Sequence, residues 1–214
     1  MQYMLTSNGP QILTALIQCV QENRAYLSEL DGAIGDGDHG INMSKGFGLA
    51  GEELGAAGYD LSTGLDTLGT TLMMEIGGAM GPLYGSLFMA MAAERQGQEQ
   101  VDAALFGRML EAARSAVSDL GSAKVGDKTL MDSLVPAVEA YHAALAAGGT
   151  FDFALKQMAR AAEAGRDSTR DLIARIGRAS RLGERSRGHL DAGATSCWLI
   201  LRTLSDAIQT ALME

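Results

Sequence analysis

Positive charge is in short supply. Seventeen lysines and arginines face 26 aspartates and glutamates in 214 residues, a formal net charge of −9. That balance argues against a broad nucleic-acid or anionic-membrane surface, which needs clustered cations. Aromatic residues reach only 5% and Val/Ile runs are few. Ala, Leu and Met abound instead, so helices should dominate over strands. Two cysteines, Cys19 and Cys197, lie in apolar stretches of helical character. They read as buried thiols in a reducing compartment, not as a disulfide framework. No basic segment opens the chain, whose first positive side chain is Arg24, and no apolar run is as long as a membrane span. The expectation is a cytoplasmic protein with no direct nucleic-acid or membrane partner. No Ser–His–Asp or Cys–His set presents itself, so no protein nucleophile is expected. The length suits one domain over residues 1–214, and neither an internal repeat nor a low-complexity tract divides it.

What the chain does have is a crowded acidic stretch, Asp31-Gly-Ala-Ile-Gly-Asp-Gly-Asp-His-Gly-Ile-Asn42. Asp31, Asp36 and Asp38 alternate with Gly32, Gly35, Gly37 and Gly40. Carboxylates this close repel in water, and a hard cation that takes oxygen ligands removes the conflict. A regular helix cannot aim all three together. At about 100° per residue, Asp31 and Asp38 share a face while Asp36 points roughly 140° away. The spacing therefore predicts a loop, with glycine permitting the tight turns. A Ca2+ EF-hand fails, because Ile41 and Phe47 stand where its turn glycine and closing glutamate belong. Gly35, Gly37 and Gly40 spell G-x-G-x-x-G. Yet no β-branched strand precedes them, and two aspartates would face the pyrophosphate. Mg2+ bridged to a phosphate, or a solvated acidic turn, are the readings left.

Apolar spacing predicts a first helix from Pro10 to about Leu30, carried by Ile12, Leu13, Leu16, Ile17, Val20 and Leu27. A second runs from Gly40 to Leu54, ended by a loop over Gly55 to Asp60. Ser62 is a candidate N-cap for a third, through Glu75. Met73, Met74, Met80, Met89 and Met91 read as core filling. Gly77-Gly-Ala-Met-Gly-Pro-Leu-Tyr-Gly85 is either a tight turn between helices or a cradle whose backbone N–H groups approach an anion. Val101 to Leu120 is helical by pattern. In Gly126-Asp-Lys-Thr129, Asp127 can cap the next helix, and Lys128 either reaches an anion or is solvated. Residues 129–147 continue as a helix, with Pro136 marking a kink or a later start. Phe151 to about Arg175 forms another helix, and Trp198 to Leu212 the last. Between them lies a glycine-punctuated basic loop, long for a linker and therefore functional or disordered. Seven of the 17 basic residues fall between Arg166 and Arg187. His39 and His189 can act as acid–base groups or position a phosphate, and His142 is structural. An acidic loop, a small-residue loop and a basic loop at one end of a helical bundle would suit a nucleoside polyphosphate with its metal. Phosphoryl transfer asks for positioning and charge neutralisation, with no protein nucleophile.

Four motifs carry a resemblance. They are Leu30-Asp-Gly-Ala-Ile-Gly-Asp-Gly-Asp-His-Gly-Ile-Asn-Met43, Gly77 to Gly85, Gly126-Asp-Lys-Thr129, and Gly177-Arg-Ala-Ser-Arg-Leu-Gly-Glu-Arg-Ser-Arg-Gly-His189 with Asp191. In order and spacing they resemble the nucleotide-binding L subunits of bacterial dihydroxyacetone kinases. The resemblance implies an all-α, single-domain barrel of about eight antiparallel helices with the site at one end. It implies ADP held as a coenzyme through two Mg2+ ions on Asp31, Asp36 and Asp38. By position, His39, Gly40, Ile41, Asn42, Ala79, Met80, Gly121, Leu130, Arg178, Asp191, Ala192 and Gly193 should line the nucleotide.

The family's reaction would take a phosphoryl group from the phosphohistidine-carrying M subunit of a phosphotransferase system. Bound ADP would pass it to dihydroxyacetone on the K subunit. The chain would act as a homodimer. Two positions depart from the family pattern: Met80 stands where a serine is expected, and Ala192 where a proline is expected. Two further readings stay open. One is a non-catalytic protein whose nucleotide state engages a partner such as a transcription regulator. The other is an ATP-dependent kinase subunit for another small ketose.

Overall fold

The computed structural model describes residues 2–55, 58–94 and 97–213. Nine α-helices make up most of these residues: α1 (Gly9–Glu22), α2 (Arg24–Ile34), α3 (His39–Leu54), α4 (Leu61–Glu75), α5 (Met80–Glu94), α6 (Ala103–Leu120), α7 (Met131–Ala146), α8 (Phe151–Ser168) and α9 (Ala192–Ala211). Helix α1 packs on α3 and α9, and the run of neighbours from α3 through α9 closes a ring of eight. Helix α2 takes no place in the ring and packs against α3 and α9. Neighbours α4 and α5 run antiparallel: the Ser62 hydroxyl donates to the Ala92 carbonyl at 3.0 Å, while Gly69 packs on Gly85 further along. The fold is all-α. One apolar core fills the ring, with Leu16, Phe47, Phe88, Phe106, Tyr141 and Leu201 among its members.

The first helix is two. At Asn23 both the backbone N–H and the side-chain Nδ2 donate to the Cys19 carbonyl, the latter at 2.8 Å. Asparagine here competes with the helix for its own acceptor, and the chain restarts as α2. Helix α4 is capped by Asp60, which accepts from the Thr63 N–H at 2.8 Å, so Ser62 is not the cap. Val101 belongs to a short strand, β2 (Gln100–Asp102), paired antiparallel with β1 (Tyr3–Leu5). Tyr3 and Met213 also exchange backbone hydrogen bonds, of 3.1 and 2.7 Å, which ties both ends of the chain together. Of the loop expected over Gly55 to Asp60, Ala56 and Ala57 lie outside the described residues.

Pro136 lies inside α7, which starts at Met131. It removes the hydrogen bond its N–H would give the Asp132 carbonyl. Gly165 of α8 packs directly on that carbonyl, and a methyl group there would collide with it. The proline and the glycine thus let α7 and α8 approach closely. Met91 is buried as expected of a core methionine, whereas Met74 is 76% exposed. Cys197 is buried and Cys19 partly so, both as free thiols. No helix among the described residues is long and apolar enough to cross a membrane.

Candidate metal centre

The acidic stretch does not fold wholly as a loop. Asp31 sits in the last turn of α2, where its carbonyl accepts the Gly35 N–H at 2.5 Å. Asp36 and Asp38 follow in the turn that leads to α3. In a continuous helix Asp36 would point away from Asp31, but α2 ends at Ile34 and the chain doubles back. Gly35 lies so close to the Asp31 carboxylate that a side chain there would collide with it. Gly37 turns at φ +77°, a conformation glycine adopts without a Cβ penalty. Gly40 presses α3 onto α2 at the Arg24 carbonyl.

The outcome is three carboxylates, each with an oxygen within 4.8 Å of the others. With Asp36 and Asp38 about half exposed, each pair repels by roughly 1 kcal/mol near the aqueous limit. One oxygen of Asp31, Oδ2, is buried and has no hydrogen-bond partner among the described residues, as is Ser28 Oγ in the same helix. A buried, unpartnered carboxylate oxygen calls for a cation. An all-oxygen set suits a hard divalent ion such as Mg2+, so the residues fit the group the sequence implies. Asp38 leads α3 without using its carboxylate to cap it, which leaves that carboxylate free to ligate.

Arg178 supplies the positive charge. Its guanidinium ion-pairs with Asp36 and lies 3.7 Å from Asp38. The basic loop that carries it folds in 3₁₀ turns over Arg178–Ser186, broken at Gly183. Buried Ser186 holds it, accepting from the Ala174 N–H at 2.9 Å and donating to the Gly183 carbonyl at 2.6 Å. Asp127 does not cap α7. It accepts from the Lys124 N–H at 2.8 Å, while Asp132 accepts from the Gly126 and Thr129 N–H groups at 2.6 and 2.8 Å. Lys128 neither reaches an anion nor faces solvent: it is 2% exposed and bonds only carbonyls.

Behind the carboxylates lies a polar chain. His39 Nε2 and Ser196 Oγ are 2.8 Å apart, and Ser196 Oγ is 2.6 Å from the Tyr84 hydroxyl. Tyr84 also donates to the Gly193 carbonyl at 3.0 Å. These bonds join the starts of α3 and α9 to α5. Burial pulls the His39 pKa down to about 4 against the opposing pull of Asp31, so the ring is neutral near pH 7. Asp191 caps α9, accepting from the Ala194 N–H at 2.7 Å. Burial pushes its pKa up to about 7, reinforced by Asp132 and Asp31 and opposed by the Ala194 N–H and Lys128.

The expected residues are thus distributed unevenly. Asp31, Asp36, Asp38 and Arg178 meet directly. His39 and Gly193 meet through Ser196, and Gly193 lies against the Leu130 backbone. Gly40 is buried at the α2–α3 crossing, Ile41 is exposed, and Asn42 bonds back to the Asp38 carbonyl at 2.9 Å. Ala79 is exposed just before α5, and Met80 packs against the core. Ala192 is buried at the first position of α9. Proline is favoured at that position, and alanine keeps an N–H there that proline lacks. Gly121 ends α6 in an extended, exposed conformation, and a methyl group on it would meet only the Ala123 nitrogen, 3.9 Å away. Sequence reasoning missed Ser28, Tyr84, Ser196 and the burial of Lys128. Tyr84 and Ser196 lie inside stretches already singled out, but their partners are distant in the chain.

The family model for the DAK2 domain matches residues 33–206. Over 196 residues the chain is 39% identical to the ADP-binding subunit DhaL of PEP-dependent dihydroxyacetone kinase 2 from Listeria innocua, covering 90% of each. Over 199 residues it is 38% identical to the corresponding DhaL subunit of Escherichia coli, covering 91% of this chain and 95% of that one. The crystal structures of the dihydroxyacetone kinase of C. freundii, native and with AMP-PNP and Mg2+, share the fold, with TM-scores of 0.69 and 0.67 at 23% and 22% identity. Each match covers 92% of this chain, which spans only 33% of that longer protein.

Proposed function

The chain belongs to the DAK2-domain family, and from that premise we propose that it is the ADP-binding subunit of a dihydroxyacetone kinase. In this reading ADP stays bound as a coenzyme through two Mg2+ ions. The chain would hold the nucleotide in place while a phosphoryl group moved from the phosphohistidine of an M-type partner to dihydroxyacetone on a K-type partner.

The observation that carries the reading is the triad Asp31, Asp36 and Asp38, drawn within 4.8 Å with one buried oxygen unpartnered. Magnesium, when bound there, supplies charge neutralisation and alignment of the phosphates. The chain's own residues do the rest. The three carboxylates would hold the metal. Arg178, already beside Asp36 and Asp38, neutralises phosphate charge through a planar guanidinium suited to it. His39, kept neutral by burial, gives the pocket a polar wall without adding charge. The exposed Gly77-Gly78-Ala79 turn lets backbone approach the nucleotide closely.

Replacing Asp36 by asparagine tests the assignment. Nucleotide binding and phosphoryl transfer, assayed with K- and M-type partners, should fall together by at least tenfold, since a ligand-charge loss of this kind costs upward of about 1.4 kcal/mol. Full activity of the variant would sink the reading.

A further inference from the structure

Lys128 is the one described non-glycine residue with a positive φ, +64°, a left-handed backbone that costs a side chain energy and persists only where its surroundings impose it. Its side chain is 2% exposed. The ammonium has three protons and the structure gives it three acceptors: the carbonyls of Thr169 at 2.6 Å, Leu172 at 3.3 Å and His189 at 2.5 Å. Those carbonyls do not belong to one turn. Thr169 and Leu172 precede the basic loop and His189 follows it, so one lysine grips both strands of the loop's neck. Bonds from the Gly188 N–H to the Arg170 carbonyl at 2.8 Å, and from the Asp191 N–H to Thr169 Oγ1 at 3.0 Å, lie in the same neck. The Arg175 N–H donates to the Asp127 carbonyl at 3.1 Å, next to the lysine. Beyond the neck the loop carries Arg178 to Asp36 and Asp38.

We infer that Lys128 is a positioning residue: a buried ammonium that clamps the neck of the basic loop and so sets Arg178 over the acidic triad. The lysine touches neither carboxylate nor phosphate and acts through Arg178. The inference rests on the proposed Mg·ADP site, because that is where the placement of Arg178 matters.

The test is a double-mutant cycle on the full chain. Mg·ADP affinity is measured for the wild type, Lys128→Met, Arg178→Ala and the pair. Each single change should weaken binding by about tenfold, the loss of a hydrogen bond to a charged group. The pair should lose little more than either alone, because an unclamped Arg178 has nothing left to lose. Losses that multiply to about a hundredfold would overturn the inference while leaving the nucleotide site standing. A wild type that does not bind Mg·ADP would instead sink the proposed function.

Two readouts do not depend on nucleotide. Trypsin should cut Lys128→Met after Arg181 or Arg185 at least tenfold faster than the wild type, at a temperature where both are folded. In the native wild type, acetic anhydride should modify Lys128 far more slowly than Lys45. Equal cutting or equal modification would overturn the clamp. If Lys128→Met does not fold, Lys128→Gln takes its place. Failure of both to fold would make the residue a purely structural one and overturn the inference.

Discussion

Asp31→Asn should make the metal-free protein more stable and the nucleotide-loaded protein less so. Asp31 shares the triad with two other carboxylates, all within 4.8 Å. Because Asp36 and Asp38 are about 45% exposed, the repulsion is best taken near the aqueous limit, roughly 1 kcal/mol for each of the two pairs involving Asp31. Arg178, lying against Asp36 and Asp38, also attracts a third carboxylate beside them and opposes part of that sum of roughly 2 kcal/mol. The substitution should therefore gain about 1 kcal/mol, a rise in Tm of roughly 2–4 °C for a chain of this size. With Mg·ADP the order reverses. A ligand at about a hundred times its Kd stabilises the wild type by roughly 2.7 kcal/mol, or about 5–10 °C. The variant, lacking the ligand with the buried, unpartnered oxygen, should gain little. Thermal denaturation in EDTA and then in Mg·ADP reads both effects. A variant less stable than wild type in EDTA, or one that keeps the full Mg·ADP shift, would refute the argument from crowded charge.

Stability against pH, followed by urea unfolding in EDTA, should carry two opposed components. His39 falls from 6.5 unfolded to about 4 folded, so the unfolded chain binds the extra proton. Its contribution is complete above 6.5 and is lost as pH falls towards 4, and His39→Gln should flatten that slope. Asp191 rises from 3.8 to about 7, so the folded chain binds the extra proton. Its contribution is complete below 3.8 and is lost as pH rises through 7, and Asp191→Asn should remove that decline. Slopes of the opposite sign in either wild-type-minus-variant difference would contradict the assignments. Gly40→Ala places a methyl group on the Arg24 carbonyl at the α2–α3 crossing. Overpacking of that kind costs about 1–3 kcal/mol. It should also weaken Mg·ADP binding, since Asp31 and Asp38 lie on opposite sides of the crossing. A loss of stability with unchanged binding would show that the crossing does not set the triad.

Much of the architecture is written locally. The apolar rows that define α1, α3 and α6 are helical in period, and Leu105, Met109, Leu110, Ala113 and Val117 of α6 are all buried. The acidic cluster was equally visible, because three aspartates among glycines have few structural uses. The features that escaped are non-local or very short. Strands β1 and β2 are three residues each, too brief for alternation to register. The break at Asn23 depends on one side chain competing for one carbonyl, in a stretch whose apolar row runs on into α2. A helical wheel puts Asp31 in a loop only if the helix would otherwise continue, and α2 instead ends at Ile34 with Asp31 in its last turn. Lys128 looked like a surface or anion-binding lysine because its three acceptors lie 41 to 61 residues further along the chain. Nothing in Gly126-Asp-Lys-Thr129 announces them. Likewise the Tyr84–Ser196–His39 chain joins residues up to 157 apart in sequence, a connection only folding makes.

What the three aspartates hold can be weighed, by mass spectrometry of the protein purified natively without added nucleotide. One ADP and two Mg2+ ions per chain should add to its mass, and all should be lost together on Asp36→Asn or on treatment with EDTA. A bare chain that also takes up no Mg·ADP when both are supplied would contradict the assignment.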